Sequence, residues 1–238
     1  MNSPRIAELV VELWIQKGNG FSTPPLQLEL LRSLFPSLRR LESLDVQSCI
    51  FDEDANRLID VLVDACPPLR VLNFGNHDNA SEYADISHVI RLLRSQPSVR
   101  TLSYTAPILP ETPIDYFPRF QLEELRLRFG DSQITDETIL FFTSNSMDTL
   151  GRLVLESYKG ILEPADFSAL SFDNLKALHS LTFFSENALD AFNIFTDFTP
   201  LPLRHLTIDI TVINPSRISG LLSGAATHPR IFHHARYS

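Results

Sequence analysis

The chain has 238 residues, 44% hydrophobic and 21% charged, which excludes a disordered chain and leaves enough apolar side chains for a core without disulfides or metal. Twenty Lys and Arg against 29 Asp and Glu give a net charge of −9, which excludes a general electrostatic surface for nucleic acid or an anionic membrane. No apolar run approaches the ~18 residues needed to cross a bilayer, and two cysteines, Cys49 and Cys66, fit a reducing compartment, so cytoplasm or nucleus is the expected location.

Taken in chain order, the first apolar stretch is Ile6-Ala-Glu-Leu9-Val-Val11. Glu8 and Glu12 lie within and beside it, so it is not a secretory leader, and its pattern is apolar-x-x-Leu-x-apolar. Leu26 to Leu34 then reads as a helix that ends before Pro36. The pattern returns as Leu41-Glu-Ser-Leu44-Asp-Val46, extended by Cys49, and an acid-started helix follows from Asp52 to Ala65, stopped by Pro67 and Pro68. Next come Leu69-Arg-Val-Leu72-Asn-Phe74, a helix from Asp85 to Ser95 closed by Pro97, and Val99-Arg-Thr-Leu102-Ser-Tyr104. Pro107, Pro110, Pro113 and Pro118 forbid a regular helix, so an extended loop is expected there.

The second half repeats the alternation. Leu122-Glu-Glu-Leu125-Arg-Leu127 is followed by a helix from Thr135 to Ser144, and then by Leu150-Gly-Arg-Leu153-Val-Leu155. Further copies are Leu178-His-Ser-Leu181-Thr-Phe183 and Leu203-Arg-His-Leu206-Thr-Ile208, with helical pieces expected at Asp166–Leu170, Asn187–Ile194 and Ser216–Leu222. The central leucines at 9, 44, 72, 102, 125, 153, 181 and 206 recur every ~28 residues, within the leucine-rich-repeat range. The expected fold is therefore α/β: an irregular leucine-rich-repeat solenoid of about eight repeats over 1–225, with a tail at 226–238. A parallel concave sheet would be backed by helices and loops on the convex side. Repeat arrays need caps, and an uncapped first repeat predicts dimerisation or aggregation through that edge.

With boundaries such as Pro68-Leu-Arg-Val-Leu72 and Pro202-Leu-Arg-His-Leu206, the array resembles the leucine-rich-repeat part of fungal F-box proteins. In that family an F-box docks onto the adaptor of a cullin-type ubiquitin ligase and the repeats hold the substrate. The resemblance implies a substrate-recognition role. No F-box-like helical segment precedes the first repeat, so contact with the ligase adaptor is expected only if an F-box lies upstream. The alternative is a stand-alone structural or regulatory repeat fragment without a ligase role.

Between inward apolar positions, the alternate residues of each strand should face outward. Three rows result: Glu8, Ser43, Val71, Thr101, Glu124, Arg152, Ser180 and His205; Val10, Asp45, Asn73, Ser103, Arg126, Val154, Thr182 and Thr207; and Glu12, Gln47, Gly75, Thr105, Arg128, Glu156, Phe184 and Asp209. Candidate partner-binding residues are Arg126, Arg128, Arg152, Phe184, Asp45 and Asn73. Two readings of the arginines compete. In one, Glu124 pairs with Arg152 and Arg128 with Glu156, leaving Arg126 free. In the other, they recognise an acidic or phosphorylated segment beside Phe184. Phe167, Phe172, Phe183, Phe184, Phe192, Phe195 and Phe198 are read as core fillers of the wide C-terminal repeats, or alternatively as an exposed patch.

Nucleotide-binding glycine loops, a nucleophile elbow and a His-Glu-x-x-His helix are all missing from the sequence. Cys49 and Cys66 read as structural, and Asp52, Glu53 and Asp54 as helix-start charges. His228, His233 and His234 are the one set with metal-ligand chemistry, and nothing in their spacing fixes a geometry. The expectation is a non-enzymatic protein that binds another protein on its concave face, with no catalytic residues, metal or cofactor, and with no nucleic-acid or membrane partner.

Overall fold

The computed structural model describes residues 7–15, 28–46, 55–75, 86–105, 121–129, 136–157, 175–185 and 204–210. These are organised as two compact units, the first built from Met1–Ala106 with Pro118–Gln121 and the second from Pro107–Phe117 with Leu122–Ser238. Both are α/β.

In the first unit the described elements are β1 (Glu12–Trp14), α1 (Leu28–Leu34), a 3-10 turn (Phe35–Ser37), β2 (Ser43–Val46), α2 (Ala55–Ala65), β3 (Val71–Gly75), α3 (Ile86–Ser95) and β4 (Thr101–Thr105). The strands pair in chain order and all are parallel, with Leu13, Leu44, Leu72 and Leu102 in one register row. Period-2 alternation sends Leu44, Val46, Leu72, Phe74, Leu102 and Tyr104 inward, where all are buried, and the phenyl and phenol rings of Phe74 and Tyr104 lie 4.6 Å apart. Helical periodicity does the same for Leu58, Ile59 and Leu62 on α2 and for Val89, Leu92 and Leu93 on α3. Outside the core, adjacent helices are tied by Arg32 to Asp64 at 4.0 Å and by Arg91 to Asp60 at 2.9 Å.

The second unit contains β5 (Glu124–Phe129), α4 (Asp136–Thr143), β6 (Arg152–Ser157), β7 (Ser180–Ser185) and β8 (His205–Ile210). Its strands are also parallel and paired in chain order. Leu125, Leu127, Leu153, Leu155 and Leu181 are buried on one face, with Ile139, Phe141 and Phe142 of α4. Gly151 admits a close neighbour, since a Cβ there would meet His179 Nε2 at 2.9 Å.

In six of the motif copies, the residue directly after the leading apolar position has a carbonyl that accepts two backbone N–H groups from the following copy of the same unit. Val11 accepts Glu42 and Ser43, Glu42 accepts Arg70 and Val71, and Arg70 accepts Arg100 and Thr101. Glu123, Gly151 and His179 do the same in the second unit. The leading positions Leu41, Leu69, Val99, Leu122, Leu150 and Leu178 are all buried.

This bonding corrects the first copy. The strand expected over Ile6–Val11 with Leu9 inward is instead Glu12–Trp14, and Leu9 is 71% exposed. Val11 carries the carbonyl that marks the second motif position, so the copy runs Val10-Val-Glu-Leu13-Trp-Ile15. Its outward residues are therefore Glu12 and Trp14 rather than Glu8 and Val10.

The expected helices at 26–34, 52–65, 85–95 and 135–144 are observed as α1 to α4, each within three residues of the expected start. The proline loop at 107–118, the helical pieces after residue 158, Cys49, the carboxylates at 52–54, the His228–His234 tail and Phe167, Phe172, Phe192, Phe195 and Phe198 lie outside the described residues.

Candidate partner-binding face

Two polar positions absent from the sequence reading hold the copies together. The Gln96 carboxamide oxygen, buried, accepts the Leu69 N–H at 2.9 Å. Ser146 Oγ, equally buried, accepts the Leu122 N–H at 2.9 Å, while Thr149 Oγ1 donates to the Leu122 carbonyl at 2.8 Å. Each satisfies a backbone group at the leading position of the preceding strand, the task that an Asn ladder performs in a regular repeat array. Gln and Ser in a proline-containing or turn segment gave no hint of burial, so only their position a few residues before the next leading apolar residue marks them.

On the outward face of the second unit, parallel register aligns Glu124 with Arg152 and Ser180, Arg126 with Val154 and Thr182, and Arg128 with Glu156 and Phe184. Arg152 lies 3.4 Å from Glu124, and Arg128 Nε donates to Glu156 Oε2. Arg126 turns toward the same carboxylate, its Nε 3.6 Å from Glu156 Oε1, beyond hydrogen-bonding distance. Both cross-strand pairs read from the sequence are present, and Arg126, expected to stand free of them, shares Glu156 with Arg128. The pair is well sheltered, with Arg128 15% and Glu156 17% exposed, whereas Arg152 is 48% exposed.

Val154, expected outward and in register with Arg126 and Thr182, is 1% exposed. Phe184 is half-buried on the strand next to Glu156. The face thus sets Arg128 and Arg152 against carboxylates on neighbouring strands, with Phe184 in register beside Glu156.

In the first unit, Asn73 Nδ2 donates to Asp45 Oδ2 at 3.3 Å across neighbouring strands, and Ser103 in the same row is buried. The row continues to Trp14, in register with Asp45 and 67% exposed. The chain's one tryptophan therefore stands on the outward face, where sequence reasoning had not placed it. The signal was legible: Val10-x-x-Leu13-x-Ile15 matches the motif as well as the copy four residues earlier. Asp45 and Asn73 belong to the first unit and Arg126, Arg128, Arg152 and Phe184 to the second.

Cys66 follows α2, and burial pushes its thiol up to about 12, so it holds little thiolate near neutral pH and is a poor nucleophile. Among the described residues no group of three His, Cys, Asp or Glu side chains is placed to hold a metal ion, and no helix is long and apolar enough to cross a membrane. No protein-family model matches the chain, and no curated protein matches it.

Proposed function

We propose that the chain is a leucine-rich-repeat solenoid that acts as a non-enzymatic scaffold, binding another protein on the outward face of its parallel strands. The observation that carries this reading is the Arg126–Glu156–Arg128 arrangement with Phe184 alongside. Arginine and aromatic side chains are the residue types that dominate binding energy at protein interfaces, and here two guanidinium groups lie against one carboxylate. Within each unit, the regular succession of motif copies bonded through the same carbonyl supports the solenoid. The resemblance to the repeat region of fungal F-box proteins makes the bound protein a substrate for ubiquitination.

Affinity purification of the full chain beside its R126A/F184A variant, followed by mass spectrometry, tests the proposal. Proteins that bind the face are expected with the wild type and lost with the variant. Adaptor and cullin subunits among them favour the ligase role. Identical protein sets from both forms overturn the face as the binding surface.

A further inference from the structure

Arg126, Arg128 and Arg152 of the second unit face acids on neighbouring strands, whereas a different set in the first unit does not. Each strand there begins on the same rim, and that rim carries Arg39 and Arg40 in the turn before β2, Arg70 before β3 and Arg100 before β4. Backbone hydrogen bonds fix the order. The Arg70 N–H donates to the Glu42 carbonyl at 2.8 Å, and the Arg100 N–H to the Arg70 carbonyl at 2.8 Å, so Glu42, Arg70 and Arg100 form one row across three strand starts.

Arg39, Arg40 and Arg70 are exposed, and no ion pair joins any of them to a described residue. Arg100 spends one N–H on the Gln121 carbonyl at 3.0 Å. The described acids of this unit nearest in sequence are Glu42, within the row, Asp45, which accepts from Asn73, and Asp64, which faces Arg32 across the helices at 4.0 Å.

Arg94 in the last turn of α3 has the ordinary role of a cation at a helix C-terminus. Arg39, Arg40 and Arg70 lie beyond the helices, on the strand side. Placing Arg70 and Arg100 side by side costs like-charge repulsion, and that cost is reversed when an anion lies across the row. The corresponding positions of the second unit are Glu123, Gly151, His179 and Arg204, a mixed set with no such excess.

We propose that this strand-entry rim of the first unit is a second docking surface, which takes an acidic protein segment whose Asp and Glu carboxylates bridge Arg39, Arg40, Arg70 and Arg100. It is separate from the outward face and goes beyond the reading above. A short acidic segment needs only the rim, whereas a nucleic acid extends its charge past the rim and meets a protein of net charge −9.

The test is fluorescence anisotropy of the full chain with a labelled peptide of about ten alternating Glu and Asp residues, beside its Gln and Asn counterpart, across rising salt. The wild type should bind the acidic peptide and not the neutral one, more weakly as salt rises. The triple variant R39E/R40E/R70E should weaken binding about tenfold or more. Should the triple variant fail to fold, R70E alone, compared with R204E as a reversal of equal charge elsewhere, still decides. R70E is expected to weaken binding several-fold and R204E to leave it unchanged. Equal binding of the two peptides, equal effects of R70E and R204E, or tighter binding of a single-stranded oligonucleotide than of the acidic peptide would each overturn the proposal.

Discussion

The buried carboxamide of Gln96 accepts the N–H of Leu69, 27 positions earlier, and so joins the segment before β4 to the start of β3. Leu of similar length at position 96 leaves that N–H dehydrated and unpaired. Gln96→Leu should therefore destabilise the protein by about 1–3 kcal/mol, read as a lower urea midpoint at unchanged slope. Ser146→Ala should behave alike through Leu122. A midpoint unmoved in both variants would show that these bonds contribute nothing net.

Glu156 and Glu124 are both paired to arginine, but their surroundings set unequal values. Glu156→Gln leaves Arg126 and Arg128 without their shared carboxylate in a sheltered place, and a loss of about 1–3 kcal/mol is expected. Glu124→Gln breaks a pair whose arginine is 48% exposed, and the expected loss is under about 1 kcal/mol, shrinking further in high salt. Thermal melts at two salt concentrations check the order, and a larger effect at Glu124 would contradict it.

The register of β1 predicts opposite results at two leucines four residues apart. Leu9, 71% exposed, should tolerate Ser without loss of stability, whereas Leu13, in register with the fully buried Leu44, should not. Trp14 adds a spectroscopic check. Because the single tryptophan is 67% exposed, its emission in the folded protein should already resemble that of a solvated indole and be quenched readily by iodide. A blue-shifted, protected emission that moves only on unfolding would contradict this placement.

Burial raises the Cys66 thiol from 9.0 to about 12, so the folded state keeps its proton to higher pH than the unfolded chain does. The contribution of this group to stability is complete below pH 9 and is lost as pH rises from 9 toward 12, where the unfolded chain ionises first. Iodoacetamide should modify Cys66 slowly in native protein and quickly in urea at about pH 8. Equal rates in the two states would contradict the assignment.

The strands and their inward leucines were legible because one short pattern repeats, and because proline or acidic residues mark the helix limits between copies. The first copy was misplaced because Ile6-Ala-Glu-Leu9-Val-Val11 and Val10-Val-Glu-Leu13-Trp-Ile15 satisfy the same pattern. Periodicity cannot choose between them, and only pairing with Ser43–Asp45 does. The cross-strand pairs of Arg128 with Glu156 and Arg152 with Glu124 followed from register alone. The lean of Arg126 toward Glu156 did not, since it depends on a diagonal reach between rows that linear spacing does not encode. Gln96 and Ser146 were invisible for a related reason, because their partners are backbone groups one copy away.

The most direct test of the outward face as a partner-binding surface is site-specific photo-crosslinking in cells. A benzophenone side chain is placed at Thr182, on the face between Val154 and Thr207, or at Leu30, exposed on α1. The face reading predicts a discrete adduct with a second protein from position 182, reduced when Arg126 is also replaced by Ala, and none from position 30. An adduct from position 30 with none from position 182 would contradict it.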